Sequence, residues 1–203
     1  MSKSRTTEIS RPLEGKKIAI LSTDGVEQSE LTEPRQALEK AGAETILVSP
    51  AGDTIQVMTH REKGDTFEVD KLRNNADPND FDGLLSPGGV ANPDELRTNV
   101  DAVSFVRTIF DSGKPIAAIC HGPWMLVEAD VVRGRTLTSW PSLKTDINNA
   151  GGTWTNCEVV QEGQMTTSRK PDDIPAFIQA VLAAFAATPA DMALKAINAH
   201  LSR

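Results

Sequence analysis

The sequence predicts an α/β domain with a twisted, mostly parallel sheet covered by helices on both faces. Three observations carry that expectation. Short apolar runs alternate with longer stretches of helical periodicity, the pattern of buried strands between amphipathic helices. The junctions are marked by glycine, proline and asparagine. The first complete unit reads strand, helix, strand, and its favoured solution is a parallel pair joined by a right-handed crossover. With 203 residues, the chain is long enough for one domain with a sizeable core.

The elements follow in order. Residues 1–15 are polar and lack periodicity, and read as an N-terminal arm. "KKIAILS" (16–22) reads as a buried strand leading into the turn "TDG". "LTEPRQALEKAG" (31–42) has helical spacing and a glycine stop, with Pro34 expected in the first turn, where proline is tolerated. "AETILVSP" (43–50) is a second strand. "TIQVMT" and "TFEVD" read as short strands or a hairpin, and "NNADPNDFDG" as turn material. "GLLSPGG" (83–89) is a strand ending in Pro-Gly-Gly. "NPDELR" then suggests a helix with Asn92 as its cap, Pro93 in its first position and Glu95 closing a capping box.

Val103, Val106, Ile109 and Phe110 place an apolar stripe on a helix over 100–113. "KPIAAIC" is the next strand and "GPWMLVEA" a helix with Pro123 near its first position. "GRTLTSW" reads as a strand and "PSLKTDINNAGG" as a helix. "CEVVQEGQMTTS" reads as strand, Glu-Gly turn, strand. "DDIPAFIQAVLAAFAA" is a long apolar helix. A last helix, with Thr188 as its cap, is expected in the tail over 188–203. The main domain therefore runs from 16 to 187.

Composition narrows the function classes. Hydrophobic residues make up 39% and charged residues 24%, ordinary values for a soluble protein. The net charge of −7, with no Lys/Arg stripe, argues against a dedicated nucleic-acid partner. No apolar stretch reaches the roughly 18 residues of a membrane span. The first residues lack the apolar centre of a signal peptide, so a cytoplasmic location is expected. Two cysteines, Cys120 and Cys157, are too few for a disulfide framework. CxxC and HExxH are absent, as are the glycine signatures of nucleotide loops, so no metal and no cofactor is expected.

In open α/β sheets, function gathers at the carboxyl ends of strands. Four strand ends carry unusual residues: "TDGVEQSE", "SPGG", "ICHGP" and "TTSRKP". A strand, then Cys-His-Gly-Pro, then a helix is the layout of a nucleophile elbow, with Ala118 and Gly122 small enough for a sharp turn. A helix N-terminus would stabilise a Cys120 thiolate. The alternative is a buried core cysteine. The backbone N–H of His121 could serve an oxyanion hole and its ring could act as base or acid; otherwise it is a turn histidine. Gly88 and Gly89 are oxyanion donors or a plain turn. Glu30, held neutral beside the sulfur, could donate to it, but Glu27 and Glu33 fit by composition equally well. Asp94 could act, or simply complement its helix dipole. Arg169 is either an anion contact for substrate or a salt-bridge partner. Trp124, Trp140 and Trp154 line a pocket or fill core and interface, and Cys157, without a helper, reads as structural.

Several ordered segments, "ILSTDGVEQSELTEP", "FDGLLSPGGVANPDELR", "KPIAAICHGPWMLVEADVVRGRTLTSWPSLKTDINNAGG" and "TTSRKPDDIPAF", resemble the PfpI family. That family lies within the superfamily of the Parkinsonism-associated protein deglycase and is class I glutamine amidotransferase-like. The resemblance implies a flavodoxin-like three-layer sandwich. It implies that Cys120 is the reactive elbow cysteine, with His121 adjacent and Glu30, in the "E-x-x-E-L" pattern, bonded to the sulfur. Gly89 and the His121 amide would form the oxyanion hole. Asp94 stands where some members have Glu, with one extra residue between Gly89 and Pro93; in relatives this acid reaches the histidine of a neighbouring subunit. A homodimer or higher homo-oligomer with a composite site is therefore implied.

The activities implied are those of an intracellular cysteine peptidase or of a glyoxalase or protein deglycase. The substrates would be a small aldehyde, a glycated protein or a peptide. The alternative is a redox-sensing or chaperone-like stress protein that oxidises Cys120 reversibly without turnover.

Overall fold

The structure, a computed structural model, describes residues 11–187. The expected C-terminal helix with its Thr188 cap lies outside the described residues, as do residues 1–10 and His200. The strands are β1 (Lys17–Leu21), β2 (Glu44–Ser49), β3 (Thr54–Thr59), β4 (Glu62–Glu68), β5 (Lys71–Leu72), β6 (Gly83–Ser86), β7 (Ile116–Ile119), β8 (Thr136–Leu137), β9 (Thr153–Trp154), β10 (Val159–Glu162) and β11 (Met165–Ser168). The helices are α1 (Gln28–Lys40), α2 (Ala91–Leu96), α3 (Val100–Asp111), α4 (Pro123–Glu128), α5 (Lys144–Asn149) and α6 (Ile174–Ala186).

The main sheet has the order β10-β11-β7-β6-β1-β2-β5. Every pairing in it is parallel except β10 with β11, the hairpin expected from the Glu-Gly turn. The central strands are apolar throughout because both faces are covered, and the pleat sorts their side chains. Ala19 and Leu21 of β1, Leu84 of β6, and Ile116 and Ala118 of β7 enter one core with Phe105, Val106, Ile109, Met125 and Leu126. Ile18 and Ile20, Leu85, and Ala117 and Ile119 enter the other, with Leu31, Leu38, Phe177, Val181 and Phe185. Helices α3 and α4 thus cover one face, and α1 and α6 the opposite one. The result is the expected three-layer α/β sandwich.

Several local expectations change. Helix α1 starts at Gln28, so Glu30 lies in its first turn and Pro34 sits well inside the helix. Pro34 removes the N–H that would bond the Glu30 carbonyl. Asn92 does not cap α2: that helix begins after Val90 without a side-chain cap. Asn92 is instead fully buried, accepting from the Thr23 amide at 2.8 Å and donating to the Pro87 and Gly88 carbonyls at 3.0 and 2.9 Å. It ties the loop after β1 to the loop after β6. The strand expected over 134–140 is two residues long and pairs with β9 in a small parallel sheet of its own. The helix expected over 141–152 divides into a 3₁₀ turn (Pro141–Leu143) and α5.

The β3–β4 hairpin stands apart from the main sheet and clamps the loop after β1. Gly25 donates to the Gln56 carbonyl at 2.8 Å, Met58 to the Val26 carbonyl at 2.8 Å, and Gln56 to Asp24 Oδ1 at 2.8 Å. The end of the arm is also docked. Leu13 is fully buried within the α1/α6 core, and its amide donates to the Ala41 carbonyl at 2.9 Å. Leu13→Ala is expected to lower stability by about 2–5 kcal/mol, the usual cost of emptying such a site. Urea denaturation of the variant and wild type would measure this.

Candidate active site

Strand β1 connects through α1 to β2 on one side, whereas β6 connects through α2 and α3 to β7 on the other. The sheet therefore switches direction between β1 and β6, where open α/β sheets form their crevices. The loops after β1, β6 and β7 meet at this edge, and β11 lies next in order. The four strand ends singled out in the sequence are thus neighbours in space.

Cys120 follows β7 with φ of 62°, a left-handed conformation that costs a non-glycine residue strain. Its amide donates to the Ser168 carbonyl at 3.0 Å, and its carbonyl accepts from the Trp140 amide at 2.8 Å. These bonds fix the turn from both sides. Gly122 is required by crowding: a Cβ there would lie 2.2 Å from the Ser86 carbonyl oxygen. Gly88 has the same constraint. Its Cβ would come within 2.6 Å of Glu30 Oε2 and 2.8 Å of both Cys120 Cβ and the His121 nitrogen. Gly89 has φ of 75°, and a Cβ would strike the Gly25 carbonyl. The Pro-Gly-Gly segment is a close-contact seat for the elbow.

Glu30 is fully buried, as its two sequence competitors are not: Glu27 retains 8% exposure and Glu33 is exposed. Its Oε2 accepts from the Gly88 amide at 2.9 Å, while Oε1 is buried without a hydrogen bond of good geometry. Burial raises the Glu30 carboxyl to about 7, the Cys120 thiol and Gly88 amide oppose the rise, and nearby Glu27 adds to it. Glu27 in turn accepts from the His60 amide at 2.9 Å, at the tip of the β3–β4 hairpin. His60 contributes that backbone group, in line with the bland reading of its sequence context.

The sulfur departs from the sequence expectation of a thiolate stabilised by a helix N-terminus. Cys120 is 7% exposed. Burial pushes its thiol up, and the Glu30 charge pushes it further, while the His121 and Gly89 amides pull it down. Helix α4 has only six residues, too little dipole to reverse these effects. Glu30 and Cys120 thus behave as a pair that resists carrying two negative charges. The amides that oppose the rise are the two expected to form the oxyanion hole.

His121 reaches the sulfur directly, which chain adjacency alone did not guarantee. Its Nδ1 lies 3.3 Å from Sγ and its Nε2 lies 3.4 Å from Ser142 Oγ. The ring stacks on Trp140 at 5.9 Å and meets Trp124 edge-on at 5.3 Å. Burial holds His121 below its ordinary pKa, so it is neutral near pH 7. The contribution of Ser142 was not legible in "PSLK", because only the turn after β8 brings it here.

Two expected residues stand outside this cluster. Asp94 is exposed and makes no hydrogen bond or ion pair among the described residues; no contact with His121 exists within the chain. Arg169 is engaged as a structural partner. It donates to both carboxylate oxygens of Asp173 at 2.7 and 3.1 Å and to Asn156 Oδ1 at 2.9 Å. Of its two readings, the geometry fills the salt-bridge one. Cys157 is exposed, with Thr155 Oγ1 3.4 Å from its sulfur. Trp154 donates to Ser139 Oγ at 3.0 Å, and Trp124 to Asp146 at 2.8 Å, so both are anchored.

The sequence model described as the DJ-1/PfpI family matches residues 16–184. The chain belongs to that family. It is 46% identical over 165 residues to "Protein/nucleic acid deglycase 2" of Escherichia coli, covering 80% of this chain and 93% of the relative. It is 42% identical over 173 residues to "General stress protein 18" of Bacillus subtilis, covering 83% and 97%. A second Bacillus subtilis relative, provisionally named cysteine protease YraA, is 38% identical over 162 residues, covering 80% and 94%. Among solved structures, a two-domain protein from Anabaena variabilis with a DJ-1/ThiJ/PfpI-like domain and a ferritin-like domain superposes with a TM-score of 0.77. It is 33% identical and covers 83% of this chain and 47% of that one. The fold is the flavodoxin-like fold of the family, and the relatives' names support an enzyme of this family with a deglycase-type role.

The pKa of Glu30 has a consequence for stability. Its folded value of about 7 exceeds the ordinary 4.5, so the folded state holds this proton more tightly. The stabilisation is complete below the ordinary value and is lost as pH rises through about 7, amounting to about 3 kcal/mol. Glu30→Gln should remove that slope. Urea midpoints at about pH 5 and pH 8 would show a smaller difference in the variant than in wild type.

Proposed function

We propose that this chain is a cysteine-dependent enzyme of the glyoxalase or protein deglycase type, acting on small aldehydes or on their adducts with proteins and peptides. The observation that carries the proposal is the alignment of Cys120 Sγ, on strained backbone, with His121 Nδ1 at 3.3 Å and with the buried Glu30 carboxyl. A neutral histidine nitrogen 3.3 Å from the sulfur is placed to act as its base.

The steps follow from these positions. His121 Nδ1 takes the Sγ proton as sulfur attacks the carbonyl carbon. The carbonyl electron pair moves to oxygen, stabilised by the Gly89 and His121 amides, and a proton from Glu30 or the imidazolium completes a thiohemiacetal. With a 2-oxoaldehyde, a 1,2-proton shift from the thiohemiacetal carbon to the neighbouring carbonyl gives a thioester of a 2-hydroxy acid. Water cleaves it to the free acid and regenerates the thiol. With an amide, the tetrahedral intermediate expels the amine, which takes its proton from His121, and water hydrolyses the acyl-enzyme. That second course is the peptidase reading. A cytoplasmic protein without metal or cofactor suffices for either course.

Cys120→Ala should lower turnover of methylglyoxal, and of glycated peptide, by at least about a thousandfold. A fluorogenic peptide assay separates the peptidase course, and a glycated nucleotide tests the substrate in the Escherichia coli relative's name. Retained turnover in the variant overturns the proposal. The name of the Bacillus subtilis stress protein favours a second reading, a redox sensor without turnover. For that reading, mass spectrometry after mild peroxide must find added oxygen on Cys120 before other residues; a Cys120 that stays reduced excludes it.

We further propose a homodimer or larger homo-oligomer, in which exposed Val90 and unpaired Asp94 on either side of the α2 start meet a neighbouring subunit near its site. Light scattering should return at least twice the 21.9 kDa chain mass. A monomer at assay concentration overturns this part.

A further inference from the structure

We propose that the Trp140–Ser142 turn is the positioning element for His121: Trp140 fixes the plane of the ring, and Ser142 accepts a hydrogen bond from Nε2–H, leaving Nδ1 free to take the Cys120 proton. The inference rests on the reading of Cys120 as the nucleophile.

A neutral imidazole carries one N–H, and the group facing each nitrogen decides where it sits. Here the two facing groups are the Cys120 thiol at Nδ1 and the Ser142 hydroxyl at Nε2. For His121 to take the Sγ proton across this 3.3 Å contact, Nδ1 must be the acceptor. The hydrogen of the ring is then on Nε2, and Ser142 Oγ is its acceptor. A hydroxyl alone could face either tautomer; the base role of Nδ1 toward Cys120 requires this one.

The turn is built to hold that arrangement. The Trp140 amide donates to the Cys120 carbonyl at 2.8 Å, and the Leu143 amide closes the turn onto the Trp140 carbonyl at 3.1 Å. The residue bonded to the elbow thus begins the turn that carries Ser142. Leu143 is fully buried and anchors the far end. Trp140 keeps 39% exposure yet stacks on His121 with an interplanar angle of 23°. The exposed ring covers the histidine without filling the core.

Among the described residues, the charges around His121 do not provide another partner. Glu30 acts across the sulfur. Arg97 lies over the Trp124 ring at 5.4 Å, and Asp146 accepts from its indole nitrogen, so both meet His121 only through that ring. Asp94 has no contact with it in the chain. The family resemblance would bring Asp94 of a neighbouring subunit to this histidine, and Ser142 already occupies Nε2 from within.

The test reads the tautomer directly. Long-range proton–nitrogen NMR of the intact protein, with His121 assigned by His121→Gln, should show the Nε2–H form. Ser142→Ala should give a mixture of tautomers, and Ser142→Thr should restore the single form. In steady-state assays of methylglyoxal turnover, Ser142→Ala should lower kcat/KM by about three- to tenfold, the scale of one lost hydrogen bond, and shift its acidic limb. Ser142→Thr should recover the rate to within about twofold. The inference is overturned if wild type carries the hydrogen on Nδ1, or if Ser142→Ala keeps the wild-type tautomer and pH profile. The NMR signal is read without substrate, so it stands or falls apart from the Cys120→Ala assay.

Discussion

The site depends on one costly contact, a carboxyl buried against a buried thiol. Neither Glu30 nor Cys120 has water to support its charge; the Glu30 charge opposes ionisation of the thiol, while the hydrogen bond from the thiol only partly offsets the burial of Glu30. Such a pair persists only where backbone amides replace solvent. The loop after β6 supplies them through Gly88 and Gly89, and the elbow supplies the His121 amide. The missing side chains at Gly88 and Gly122 allow these backbones to approach, and the positive φ at Cys120 turns the sulfur toward them.

Around that contact the fold reads as a set of restraints. Asn92 joins the loops after β1 and β6, which carry the acid and the amides. The β3–β4 hairpin fastens the first of those loops and holds Glu27 beside Glu30 through the His60 amide. The bonds from Cys120 to Ser168 and Trp140 do the same for the elbow. The strain at Cys120 is therefore supported from two neighbouring segments, the condition under which a disfavoured backbone survives. His121 adds the proton acceptor, and its stack on Trp140 limits how far the ring can turn. The proposed chemistry needs little motion, because the imidazole, the carboxyl and the backbone amides assigned to it already surround the sulfur.

Much of this was legible in the chain. Apolar period and glycine or proline punctuation located nearly every strand and helix, since local propensity and burial agree there. The elbow at Cys120 was legible because small residues flank it at a strand–helix junction. The errors lie where a side chain serves a distant segment. Asn92 looks like a helix cap, yet its bonds run to Thr23, Pro87 and Gly88. Pro34 looks like a first-turn residue, yet α1 starts early enough to place Glu30 under the sulfur. Arg169 looked equally able to meet a substrate or a carboxylate, and Asp173 one helical turn later takes it.

The sequence by itself determined the layered α/β architecture, the strand ends that meet at one edge and the elbow layout around Cys120, because each is written in neighbouring residues. Tertiary structure alone decided which acid accompanies the sulfur, that burial pushes the thiol up, and that Ser142 and Trp140 meet His121. Glu27, Glu30 and Glu33 are alike in composition, and only the approach of the loop after β6 separates them. The state of the thiol depends on how much solvent reaches it and on which charge stands beside it. Those are properties of contacts between segments far apart in the chain, and no local pattern encodes them.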